Sequence, residues 1–164
     1  MSQTPSTPVL EPPEQRLYKM MDSATLVAAF GVGAVLAFMV GMFAHVVGYD
    51  RDRAFYATVL TVVGSLYVLF AVMADAGQAL ILEIAFFGAF AAIAAIGFRR
   101  SLWIVAAGLA LHGVFDFVRH SFLTAPGAPQ WWPAFCGAYD VVAALFLAML
   151  LLIERGSAQH SPGR

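Results

Sequence analysis

Five runs of roughly 20 apolar residues, joined by connections too short to hold a domain of their own, constrain this chain more than any other feature. They fall at about 23–47, 54–74, 79–98, 101–120 and 133–153. At 1.5 Å of rise per residue, about 20 residues carry a helix across the hydrocarbon core of a bilayer. Inside that core only helices and closed barrels satisfy their own backbone polar groups. The expected fold class is therefore all-α, an integral membrane bundle of five transmembrane helices filling 23–154. Composition agrees: 61% of residues are hydrophobic and 12% charged, against about half and a quarter in soluble domains. The lipid bilayer is the expected partner. A net charge of −1 gives no electrostatic footing for nucleic acid. Cys136 is the only cysteine, which excludes an intramolecular disulfide and any zinc or iron–sulfur motif built on cysteines alone.

Residues 1–22 are polar and carry Pro5, Pro8, Pro12 and Pro13. They are expected to form a disordered tail, with a short helix near 14–21. Acids precede the first apolar run, which is too long for a signal peptide and lacks a small-residue cleavage pattern. Residues 155–164 form a second polar tail expected to be disordered.

Within the first span, Ala29, Gly33, Ala37 and Gly41 recur every four residues. Small residues at this spacing let membrane helices pack closely. His45, one step further, is expected on the same stripe and so inside the bundle. The connection after it holds Asp50, Arg51, Asp52 and Arg53. Its charges either pair among themselves in water, or Asp50 or Asp52 reaches His45 and orients it. In the second span Thr58, Thr61 and Ser65 share a face, where such hydroxyls mostly bond the backbone one turn earlier. Ser101 is placed to cap the fourth helix, with Trp103 at the interface. Trp131 and Trp132 form a second interfacial anchor ahead of Pro133.

The chemistry concentrates in the fourth span. His112, Asp116 and His120 are four residues apart and form a stripe about two helical turns long, with Gly108 one turn earlier. Titratable groups are costly in lipid and usually face protein, water or ligand. Asp140 in the fifth span and Glu83 in the third are the other acids inside the apolar runs. Basic residues near the two ends of the bundle number three (Arg16, Lys19, Arg119) and six (Arg51, Arg53, Arg99, Arg100, Arg155, Arg164). The positive-inside rule then puts the amino end outside and the carboxyl end in the cytoplasm, in the inner cell membrane. Helix rise sets Asp116 about 6 Å, His112 about 12 Å, Asp140 about 13 Å and Glu83 roughly 6–9 Å below the outer surface. His112, Asp116, Asp140 and Glu83 are thus expected to converge in one layer, with His45 and Asp50 near the opposite surface as a polar path toward it.

Three uses of such a cluster stand open. His112, Asp116, Asp140 and His120 offer nitrogen and oxygen ligands to a divalent zinc, manganese or iron ion. With Asp116 or Glu83 as general base, the result would be a metal-dependent lipid hydrolase. Alternating histidine and acid also suits proton- or ion-coupled transport, because imidazole titrates near neutral pH; a chain of five spans would then act as a homo-oligomer or within a larger complex. The third use is passive: polar residues that set helix register in a non-catalytic assembly or accessory subunit. The stretches Gly48-Tyr49-Asp50-Arg51-Asp52-Arg53-Ala54-Phe55-Tyr56 and His112-Gly113-x-x-Asp116-x-x-x-His120 resemble small bacterial multi-pass membrane proteins that bring no activity to carry over. A looser resemblance, by analogy, is to membrane-embedded metal hydrolases of the alkaline-ceramidase type, which implies histidine and aspartate ligands drawn from several helices. This chain has fewer spans and lacks their full ligand pattern.

Overall fold

The computed structural model describes residues 13–123 and 125–159, with side chains for 22–119, 122–123 and 125–157. The chain forms α1 (Pro13–Val47), α2 (Ala54–Met73), α3 (Gly77–Arg100), α4 (Leu102–Phe122) and α5 (Trp132–Gln159), with one 3-10 turn at Tyr49–Arg51. Each of the five helices is long and apolar enough to cross a membrane. Their outer faces are apolar as well: Val27, Val46, Met73, Ile81 and Leu145 are all more than 60% exposed. Water would penalise such a surface, and hydrocarbon does not. The fold is the all-helical, multi-pass bundle that the apolar runs imply.

Two element ends depart from expectation. The first helix starts at Pro13 rather than near residue 23. Proline fits the first turn of a helix, and nothing between it and Ser23 breaks one. The short helix expected at 14–21 is therefore continuous with the span, and residues 1–12 lie outside the described residues. At the other end α5 runs on to Gln159, through residues expected to belong to a disordered tail. Gly156 alone does not stop it, and the Ser157 hydroxyl donates to the Ile153 carbonyl at 3.0 Å within the helix. Residues 160–164 lie outside the described residues.

The connections are tight. Gly48 turns the chain after α1 with φ 89°, a conformation open to glycine. Asp75 makes the α2–α3 turn with φ 51°, which aspartate tolerates better than most residues. A single residue, Ser101, separates α3 from α4, and its hydroxyl accepts the Trp103 N–H at 3.3 Å. Thr61 and Ser65 donate to the carbonyls of Ala57 and Val62. These hydroxyls are satisfied within α2 itself.

Helix α5 packs between α1 and α4, while α4 also touches α3 and α2, and α2 lies along α3. Leu60, Val105, Leu109 and Leu147 are fully buried at the centre of this arrangement. The α1–α5 crossing depends on Gly33, where a Cβ would stand 2.1 Å from the Phe135 carbonyl oxygen. The buried edge of α1 continues through Ala37, Gly41 and Ala44, not His45. The reason is geometric. A four-residue step turns about 400°, so a four-residue stripe drifts about 40° per step, and the buried line returns to true by a three-residue step. His45 is consequently displaced from the bundle interior, with its side chain 55% exposed.

Candidate metal centre

The centre is built on the crossing of α4 and α5. At Gly113 a Cβ would lie 2.9 Å from the Gly137 carbonyl oxygen, and at Gly137 it would lie 3.1 Å from the Gly113 carbonyl oxygen. Two antiparallel helices meet here backbone to backbone. Each glycine sits in a similar pattern, a ligand-type residue before it, an aromatic two after and an aspartate three after: His112-Gly113-Val114-Phe115-Asp116 on α4 and Cys136-Gly137-Ala138-Tyr139-Asp140 on α5. The residue before the glycine and the acid three after it lie one turn apart on one face. The close approach therefore brings four side chains together from two short, matching segments.

Ligand atoms of His112, Asp116, Cys136 and Asp140 all lie within 4.8 Å of one another. His112 Nδ1 stands 2.6 Å from Asp140 Oδ2, the ring N–H donating to the carboxylate. The same nitrogen is 3.8 Å from Asp116 Oδ2. The Cys136 thiol reaches Asp140 Oδ2 at 3.7 Å. All four residues are buried, at 1%, 0%, 2% and 0% exposure in chain order. Phe90 closes the site edge-on to the imidazole, with ring centroids 4.6 Å apart. Neither oxygen of Asp116 makes a well-formed hydrogen bond, although the Tyr67 hydroxyl and the Cys136 thiol stand near it, and Asp140 Oδ1 has no partner. Buried carboxylates nearly always have partners, so three oxygens without a well-formed bond in one cluster call for a proton or a cation.

Glu83 does not join this group. It is buried, but its carboxylate accepts from Arg119, and the guanidinium lies 4.1 Å above the Tyr67 ring. Glu83, expected to converge with the α4 and α5 groups, is held outside the quartet. Opposite charge draws it to Arg119 instead. Arg119 itself departs from expectation: it is 3% exposed and is not an interfacial charge at the end of a span. His120 lies in the last turn of α4, and its side chain is outside the described residues. At the far end of α1, His45 Nδ1 meets Asp50 Oδ2 at 2.8 Å. Of the two readings of that loop, the one in which an aspartate reaches His45 describes it, while Asp52 instead accepts the Ala54 N–H at 2.8 Å and starts α2.

Two participants escaped the reading of the sequence. Cys136 stands one turn before Asp140 and supplies a sulfur donor. Arg119 is seven residues after His112, within about 20° of it around the helix, whereas His120 is about 80° away. Spacing of i, i+4 and i+7 would have selected His112, Asp116 and Arg119 as one face. Donors of one nitrogen, one sulfur and two carboxylates, as found here, can hold a metal ion. Ligands around a tetrahedral zinc stand roughly 3.3–3.8 Å apart, given bond lengths of about 2.0–2.3 Å. The 3.7 and 3.8 Å separations lie at that range, whereas the 2.6 Å contact would have to open by about 0.7 Å and His112 Nδ1 to give up its proton before it could ligate. Comparison with protein-family models, curated proteins and solved structures finds no match to this chain.

Proposed function

We propose that this chain is a multi-pass membrane protein that binds a divalent transition metal within the bilayer through His112, Asp116, Cys136 and Asp140. The observation that carries this reading is Asp116, fully buried with neither oxygen in a well-formed hydrogen bond beside three other ligand-type side chains. A divalent ion offsets most of the charge of the two carboxylates and of the thiolate that Cys136 would become on binding, beside a neutral imidazole, which lowers the cost of burying that charge. The mixed nitrogen, sulfur and oxygen donors favour zinc, with iron and manganese behind it.

Metal-dependent hydrolysis of a lipid is the chemistry this set supports best. His112, Cys136 and Asp140 would remain as three protein ligands, while Asp116, the fourth, would give way to water and then act as general base. Glu83, tied to Arg119, is the weaker choice of base. The burial of all four groups means that substrate arrives through the bilayer, by parting of helices, rather than from bulk water. A proton-handling role is the second reading, favoured by the same Asp116 next to an imidazole. The excess of arginine at the carboxyl-terminal end supports a cytoplasmic carboxyl end and an external amino end. The cell membrane is the proposed location.

Metal content of detergent-purified protein tests the reading, with wild type measured beside His112→Ala, Cys136→Ala and Asp140→Ala. The expected outcome is about one metal ion per chain in wild type and almost none in His112→Ala or Asp140→Ala. Folded wild type that carries no metal after purification in metal-supplemented buffer overturns it and directs attention to proton flux in vesicles.

A further inference from the structure

Far from the metal centre, the end of the bundle that gathers the α1–α2 connection, the start of α4 and the last turns of α5 holds a second feature. A pocket of about 460 Å³ opens there. Its rim carries Arg51, Arg53 and Arg155, and its floor is Leu102, Trp103 and Leu151. Arg99 and Arg100 end α3 alongside, where Arg53 Nη1 donates to the Arg99 carbonyl at 3.5 Å. Three acids also line the pocket, Asp50, Asp52 and Glu154, but two of them are committed. Asp50 holds His45 and Asp52 holds the Ala54 N–H. The lining itself thus carries three arginines and three acids, and the excess of positive charge at this end comes from Arg99 and Arg100 beside it, with Asp50 and Asp52 turned to their own hydrogen-bond partners. Arg155 lies over Trp103 at 5.0 Å from the ring centroid, which props its guanidinium at the rim.

We propose that this pocket binds the phosphate of an anionic phospholipid, with Arg51, Arg53 and Arg155 on the headgroup and Leu102, Trp103 and Leu151 against the glycerol and upper acyl chain. Guanidinium groups match phosphate oxygens two at a time. Basic pockets between membrane helices collect anionic headgroups, and the anionic leaflet is the cytoplasmic one. The apolar floor separates a lipid from a free phosphate ion, which gains nothing from it. The site is independent of the metal reading, because it shares no residue with the quartet.

The test uses the full chain in neutral detergent, followed by thermal unfolding while phosphatidylglycerol, phosphatidylcholine or inorganic phosphate is added. Phosphatidylglycerol is expected to protect at about a tenth of the concentration that phosphatidylcholine needs, with the preference shrinking in about 0.5 M salt. Inorganic phosphate is expected to protect little. In Arg51→Gln/Arg155→Gln the preference is expected to vanish while helix content by circular dichroism stays that of wild type. Equal protection by the two lipids, equal protection by inorganic phosphate, or an undiminished preference in the double variant overturns the proposal. Should the double variant fail to fold, the wild-type lipid preference and its salt dependence decide the matter alone.

Discussion

Asp116 is the residue on which the chemistry turns. Its carboxylate sits among Cys136, His112 and Asp140 with no well-formed hydrogen bond of its own. Ionised and unpaired, such a group costs several kcal/mol in a protein interior; bound to a metal, it costs little. Asp116→Asn removes the charge and keeps the shape. In the presence of chelator the variant is therefore expected to unfold later than wild type, by about 1–3 kcal/mol. Added zinc is expected to stabilise wild type and leave the variant unmoved. Thermal unfolding in detergent reads both, and a variant that is weaker under chelator yet still gains from zinc sinks the assignment. At this scale the sequence is partly legible. An acid or histidine deep in an apolar run announces itself, so His112, Asp116 and Asp140 stand out without a structure. Cys136 does not, because a lone thiol in an apolar helix reads as a small apolar side chain. Arg119 is hidden by its place one turn from the end of a span, where basic residues are ordinary. What decides its role is Glu83 on another helix, and no spacing within α4 can report that.

Helices α4 and α5 carry the site because of how they cross, not only because of what they carry. The Gly113–Gly137 contact leaves no room for a methyl group on either side: at Gly137 a Cβ would also stand 2.8 Å from the Phe117 ring. Gly113→Ala is expected to push the helices apart, at a cost of about 1–3 kcal/mol, and to abolish metal loading although every ligand is retained. Gly88→Ala is the matched control. Nothing lies within 4 Å of a Cβ there, and alanine is the better helix former by about 1 kcal/mol. Metal content and unfolding temperature of the two variants, measured together, check the prediction; normal loading in Gly113→Ala defeats it. The length of the apolar runs made the five elements visible in advance, and small or polar residues at the right positions did the same for the cap at Ser101 and the small-residue face of α1. The repeated pattern in α4 and α5 was equally present as letters, but its five residues are too short to distinguish from chance until the crossing shows them facing each other. His45 shows a further limit. A stripe read at four-residue steps drifts off the true helical line, and the drift decides whether the final residue is buried.

On the scale of the whole molecule, the distribution of charge along the bundle axis sets which way it sits in the membrane. Arg119 had counted toward the end that carries Arg16 and Lys19. Buried and paired with Glu83, it adds no exposed charge to that end of the folded bundle. The contrast between the two ends is thereby sharper than composition alone suggests, with Arg51, Arg53, Arg99, Arg100 and Arg155 all at the end where α1, α3 and α5 finish. That end is expected in the cytoplasm. The chain supplies its own background for a test, since its only cysteine, Cys136, is buried. A membrane-impermeant maleimide should ignore the native protein, label Gln130→Cys in intact cells, and label Ser157→Cys only after the cells are opened; both positions are exposed. The reverse pattern would turn the molecule over. The quartet would keep its geometry, because that depends on α4 and α5 alone, but it would lie closer to the cytoplasmic face. The arginine-rimmed pocket would then meet the outer leaflet, where anionic lipid is not the expected neighbour. Orientation thus links two sites that share no residue, and one labelling experiment bears on the setting of both.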